Sequence, residues 1–397
     1  MKPAHRYATL SACVGVLGLW WWLAPGDATV ALAEPAAVLV AEPTSAGPAS
    51  AASAASTPAD RRAARALWSQ RLERAQRALD TYRHATRYPH DSRPIRDHPD
   101  QVHPNQPIAE ERPLREPGGP VIEGLTLRTT QERVFAQGDE SVLFTVAAVD
   151  GDGRALPLAV PRAIVREGAP RPGSPPMPVV PVQFTDDGRQ GDAAAGDQVL
   201  SFRLQPSRIG YAGLEGVIRV ELALQSEEHP GFAYFDVIHS GAAPATWGPG
   251  PLREVVEAGS LALYLPADVL QPGRYVASGR IDDANGRPLA LVSFNEELAA
   301  GRKEIRLQVF GKLLRDAQAA FPLTLRDVEA FLLKPDTFPD RALMPRRAGA
   351  VHRTGNHPLA AFSSAEWQSE ERQRYLDEYT RDVDEAEGQL KNLGTGP

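Results

Sequence analysis

"GRYVASGRIDDANGRPLALVSF" (residues 273–294) decides the fold class of this chain. Two apolar runs with β-branched and aromatic residues flank the polar hexapeptide "DDANGR" (282–287). In it Asn285 precedes Gly286, the dipeptide best suited to the positive φ angles of a tight hairpin turn. Runs of the same texture recur on both sides. "GLTLRTT", "SVLFTVAAVD", "PVVPVQFTD", "QVLSFRLQ", "GVIRVELALQ" and "GFAYFDVIHS" come first. "SLALYLP", the hairpin itself, "KEIRLQVFG" and "FPLTLRDVEAFLL" form a later set. Several alternate polar with apolar residues, and clusters such as "DGDG" (150–153) divide them. The expectation is an all-β protein of two Ig-like antiparallel β-sandwich domains, at 121–240 and 241–362.

Composition bounds the rest. The 397 residues contain 36 prolines and 33 glycines, a composition of many turns and few long helices. A net charge of −7 argues against a general nucleic-acid binder. Cys13 is the single cysteine, which excludes an intramolecular disulfide and a cysteine-based zinc site.

Lys2, His5 and Arg6 precede the apolar run "YATLSACVGVLGLWWWLA" (7–24), and neither Lys nor Arg follows until Arg61. That bias exports everything after the run. Residues 7–24 are then an uncleaved signal anchor, in contact with the membrane and ending in interfacial tryptophans, or a signal peptide cleaved after "ALA" (31–33). The "LSAC" at 10–13 resembles a lipobox, but the long apolar run follows the cysteine instead of preceding it. The expected location is membrane-anchored and facing the periplasm or cell surface, or soluble there if cleavage occurs near Ala33.

Residues 34–59 are Ala/Ser/Pro-rich and read as a tether. Trp68, Leu72, Ala75, Leu79 and Tyr82 then make one stripe of a basic helix over 60–88. Repeated prolines turn 89–120 into an extended strap that is neither helix nor central strand. His90, Asp91, Asp97, His98, Asp100 and His103 lie in it without fixed geometry and read as solvated polar groups. At the other end, 363–397 read as an acidic helix and tail. A capping box at Ser363 and Glu366 opens it, and Leu376, Tyr379, Val383, Ala386 and Leu390 form its stripe. The basic and acidic stripes could pair, but independent solvated helices are expected, since so few heptads do not specify a coiled coil.

The chemically richest stretch is "FTDDGRQGDAAAGDQVLSF" (184–202). Asp186, Asp187, Asp192 and Asp197 can supply hard oxygen ligands, and Gly188, Gly191 and Gly196 permit the backbone to fold them around calcium. The same residues also serve an ordinary turn through Asx hydrogen bonds. No His, Ser or Cys stands beside them to form a catalytic set.

Asp187, Gly188, Gly191, Asp192, Ala195, Gly196 and Asp197 also fall on an Asp-Gly-x-x-Gly-Asp-x-x-Ala-Gly-Asp pattern, and here the chain resembles the bacterial choice-of-anchor X domains. Gln198 and Leu200 stand where that pattern has a glycine and an aromatic. The stretch from "LQPGRYVASGRID" to "VFGKLLRDA" is similar to the later part of the family, so the resemblance spans about 121–362. It implies a β-rich envelope domain and no reaction.

The chain carries no Gly-rich phosphate loop with its lysine, no H-E-x-x-H and no G-x-S-x-G. His229, His239, His352 and His357 are scattered. The expected role is therefore non-enzymatic: an exported envelope protein that binds or supports another envelope component or protein, without a cofactor. Calcium-dependent ligand or glycan binding is one alternative. A hydrolase with its site on the sandwich loops is the other.

Overall fold

The computed structural model describes residues 57–116, 119–170, 173 and 175–394. The apolar run at 7–24, the cleavage site at 31–33 and nearly all of the 34–59 linker lie outside the described residues. Among the described residues no helix is long and apolar enough to cross a membrane.

Helix α1 (Pro58–Ala85) begins on a reciprocal cap. The Asp60 amide donates to Thr57 Oγ1 at 3.1 Å, and the Thr57 amide donates to the Asp60 carboxylate at 3.0 Å. The proline-rich strap then supplies two strands, β1 (Ser92–Pro94) and β2 (Ile108–Arg115). Each sits at the edge of its sheet, where a proline without an N–H breaks no ladder.

The first module continues with β3 (Val121–Gln131), β4 (Phe135–Gln137), β5 (Val142–Val149), β6 (Ala155–Leu156), β7 (Ala159–Glu167), β8 (Val180–Val182), β9 (Leu200–Leu204), β10 (Gly216–Ser226) and β11 (His229–Ser240). One sheet runs β2-β3-β5-β6 with β9 also on β5, and the other runs β4-β11-β10-β7-β8. Pairing is antiparallel except where β4 lies parallel to β11. Phe144 of β5 and Phe235 of β11 meet at 4.7 Å between ring centres, so residues of both sheets fill one core. β7, which contains Pro161, is not among the strands expected from the sequence. The proline is tolerated where the ladder to β10 shifts register, between Ala223 and Gln225, while β8 pairs only with residues 163–165.

The second module comprises β12 (Ala245–Trp247), β13 (Arg253–Glu257), β14 (Ser260–Val269), β15 (Gly273–Asp282), β16 (Pro288–Leu298), β17 (Gly301–Val309), helix α2 (Gly311–Asp316), β18 (Thr324–Leu333), β19 (Arg341–Leu343) and β20 (Arg347–Arg353). All its pairings are antiparallel: β1-β16-β15-β18-β19 with β20 on β18, and β12, β13 and β17 around β14. The Asn285–Gly286 turn closes β15 onto β16 with Gly286 at φ 76°. The Asp283 carboxylate fixes it by accepting the amides of Asn285 and Arg287.

The modules are fastened together. Arg341, buried between the rings of Phe135 and Phe331 at 4.8 Å from each, crosses from one to the other. Arg346 reaches Glu140 at 3.8 Å and Glu329 at 3.5 Å, and Lys334 reaches Glu215 at 3.6 Å.

Helix α3 (Glu370–Gly394) starts later than its expected capping box. Ser369 Oγ accepts the Arg372 amide, whereas Ser363 donates its own amide to the Gly259 carbonyl and so ties the segment to the second module. The helices are not independent. Tyr82 of α1 packs against Tyr375 and Tyr379 at 5.7 and 5.3 Å, and buried Arg372 donates to Thr86 and Glu366. The two stripes legible in the sequence thus meet at Tyr82 and Tyr379.

Candidate functional site

The aspartate-glycine loop joins the Phe184 region to β9. Phe184 packs on Phe202 at 5.4 Å, and Thr185 exchanges backbone hydrogen bonds with Ser201. These two contacts close the base of the loop. Asp186 organises its far side: its carboxylate accepts the amides of Gly196 at 2.6 Å, Asp197 at 3.3 Å and Gln198 at 2.9 Å. Buried Asp192 accepts the Gly188 amide at 2.6 Å, Asp187 accepts that of Arg189, and Asp197 accepts that of Val199.

Gln198 adopts φ 66°, the left-handed region that glycine enters without strain. This is where the resembling pattern carries glycine, and the Asp186 hydrogen bond holds the larger residue there. Gly191 at φ 104° leaves room for Arg203, which donates to the Gln190 carbonyl at 2.8 Å and to Ser141 at 3.2 Å. A side chain at position 191 would collide with the Arg203 guanidinium.

One carboxylate oxygen from each of Asp186, Asp192 and Asp197 falls within 4.8 Å of the others. Two ligands of one calcium ion, each at 2.3–2.6 Å, are separated by no more than about 5 Å. The three residues could hold a hard divalent cation: Oδ1 of Asp186 already accepts two amides, but its Oδ2, Oδ2 of Asp192 and Oδ1 of Asp197 accept one each and keep a further lone pair. Asp187 is outside that group; its carboxylate serves a local Asx turn.

A second cluster was hidden in the sequence. Glu254 of β13 lies between His352 of β20 and His357, with Nε2 to oxygen distances of 3.0 and 3.2 Å, and it accepts the Gly355 amide at 2.8 Å. The imidazoles approach different carboxylate oxygens, so the group is a clasp between the two sheets of the second module. Each histidine was visible, but their shared partner lies about a hundred positions away, and no periodicity links them. The strap's histidines and aspartates are not gathered into a metal-sized group among the described residues.

Burial works to raise the Glu254 pKa, but hydrogen bonds from His352, Gly355 and His357 outweigh it and leave it below the usual glutamate value of 4.5. A depressed carboxylate contributes stability above its unfolded pKa and loses it as pH falls through the folded one. Glu254→Gln is therefore expected to lower stability by about 1–2 kcal/mol at pH 7. The gap between parent and variant melting temperatures should narrow below about pH 4. A gap independent of pH would contradict the clasp.

No family model matches the chain, and no curated protein matches it. Among solved structures it is similar to a DUF4785 family protein from Legionella pneumophila, at 11% identity and a TM-score of 0.38, over 58% of this chain and 57% of that one. It is also similar to trypsin-activated alpha-2-macroglobulin from Escherichia coli, at 13% identity and a TM-score of 0.20, over 60% of this chain and 16% of that one. The chain thus spans little more than half the length of the first and a small part of the second. At these TM-scores neither bears on activity.

Proposed function

We propose that this chain is an exported cell-envelope protein of the choice-of-anchor X kind. Residues 7–24 hold it at the membrane, and two Ig-like β-sandwiches act outside as a non-enzymatic binding or structural unit. The observation that supports this best is the strap: β1 pairs with β16 of the second module and β2 with β3 of the first. One segment thus pairs with a strand of each module, and with Arg341 between Phe135 and Phe331 it joins them into a two-module body suited to display from a tether. Cell fractionation tests the reading. The protein should stay with membranes in high salt and need detergent for release. A soluble chain whose mature N-terminus is Glu34 would contradict the anchor.

A second reading rests on the three converging carboxylates: the loop binds calcium and is stiffened by it. A cation that binds only the folded loop adds about 2.7 kcal/mol at a hundredfold excess over its dissociation constant. On this reading calcium raises the melting temperature by several degrees, and the double variant Asp192→Asn, Asp197→Asn loses the response. Identical parent curves in calcium and in chelator would leave the loop purely structural.

A further inference from the structure

The exposed arginines of α1 have no role in the fold described so far. Arg65, Arg71, Arg74 and Arg77 are all exposed. Leu67, Arg71 and Arg74 follow one another at helical spacing, with Arg77 one turn further on. Leu67, Arg74 and Arg77 lie apart from Trp68, Leu72, Ala75, Leu79 and Tyr82, the stripe whose Tyr82 meets α3, and Arg71 borders that stripe beside Trp68. The nearby acids on α1 are Glu73, which Arg77 holds at 3.3 Å, and Asp80, which lies 3.9 Å from Arg83. Leu67 is 49% exposed, and the Arg71 guanidinium stacks on the Trp68 ring at 4.6 Å.

This is an unusual surface for the chain. The whole carries a charge of −7, so a cationic helix face stands out against an acidic body. Its composition, arginines beside an exposed leucine, matches what settles at the boundary between anionic headgroups and acyl chains. Its place in the chain fits as well. Only residues 25–57 separate it in sequence from the apolar run. On the anchor reading that short separation raises the effective concentration of the bilayer at the helix.

We propose that the Leu67, Arg71, Arg74 and Arg77 face of α1 docks on anionic phospholipid headgroups of the membrane that holds residues 7–24. The proposal rests on the anchor reading for its geometry, so the test separates the two. The full chain is reconstituted into phosphatidylcholine vesicles with and without phosphatidylglycerol, and amide exchange is followed across residues 61–78. Exchange should slow when phosphatidylglycerol is present and recover in high salt. The variant Arg71→Gln, Arg74→Gln, Arg77→Gln should lose the effect, with affinity for anionic vesicles falling on the order of fivefold per arginine removed. Glutamine is a good helix former, and an unchanged melting curve confirms that the variant folds.

Retention of the chain on vesicles after a high-salt wash reports the anchor alone. If the wash releases it, salt-sensitive rebinding to phosphatidylglycerol vesicles but not to neutral ones still supports docking, while no rebinding overturns it. Equal exchange on both vesicle types overturns it too. A salt-sensitive dimer without lipid, abolished by the substitutions and indifferent to phosphatidylglycerol, would assign the face to a second copy and overturn it equally.

Discussion

Gly311→Ala is expected to destabilise the second module by about 3 kcal/mol or more. Gly311 opens α2 where three backbone segments meet. Its amide donates to Ser260 Oγ at 3.1 Å, and the neighbouring Gly259 carbonyl accepts the Ser363 amide at 2.8 Å. A Cβ at 311 would be driven into the Gly259 carbonyl oxygen and would stand 2.9 Å from the Ser363 nitrogen. Both obstacles are backbone, so no rotamer change relieves them. The variant has to separate α2 from the β13–β14 turn or release the segment that leads to α3. Urea unfolding should show a much lower midpoint. A midpoint equal to the parent's would mean that this junction is not packed as described.

Phe144→Ala is expected to cost about 3–5 kcal/mol through the first module. Phe144 has no exposed surface, and its ring contacts Phe235 in the opposite sheet at 4.7 Å and Phe202 beside it at 6.5 Å. Truncation leaves a cavity between two sheets that are held apart by their other side chains, so collapse recovers little of the loss. A thermal midpoint within a degree or two of the parent would show that the two sheets do not share this core.

The hairpin at 273–294 was legible because its signals are local: an Asn-Gly turn and two runs of strand formers. The same holds for β10, β11 and the stripes of both helices. What the sequence hid is non-local or sits where proline misleads. Pro94 and Pro113 mark edge positions, and Pro161 falls at a register shift, so all three strands read as irregular chain. The start of α3 was displaced because Ser363 spends its amide on Gly259, a partner about a hundred residues away. The pairing of α1 with α3 needed the folded modules to bring the two chain ends together. Three of the four aspartates proposed as ligands do converge, since one short loop positions them. Asp187 does not, because its Asx turn with Arg189 draws its carboxylate elsewhere. The Glu254 clasp joins β13 to β20 and the segment after it, and only the stacking of the two sheets creates it.

On the proposed function, the two modules stand outside the cytoplasmic membrane on a chain still held by it. Leu270 is 66% exposed at the end of β14, and the chain's single cysteine, Cys13, can be removed as Cys13→Ser. A Leu270→Cys variant in that background places one thiol on the surface of the second module. Intact spheroplasts are treated with a membrane-impermeant maleimide, and their membranes are then washed in high salt. Full labelling without lysis is expected, with the labelled chain remaining in the membrane pellet. Labelling that appears only after lysis would place the modules in the cytoplasm and contradict it.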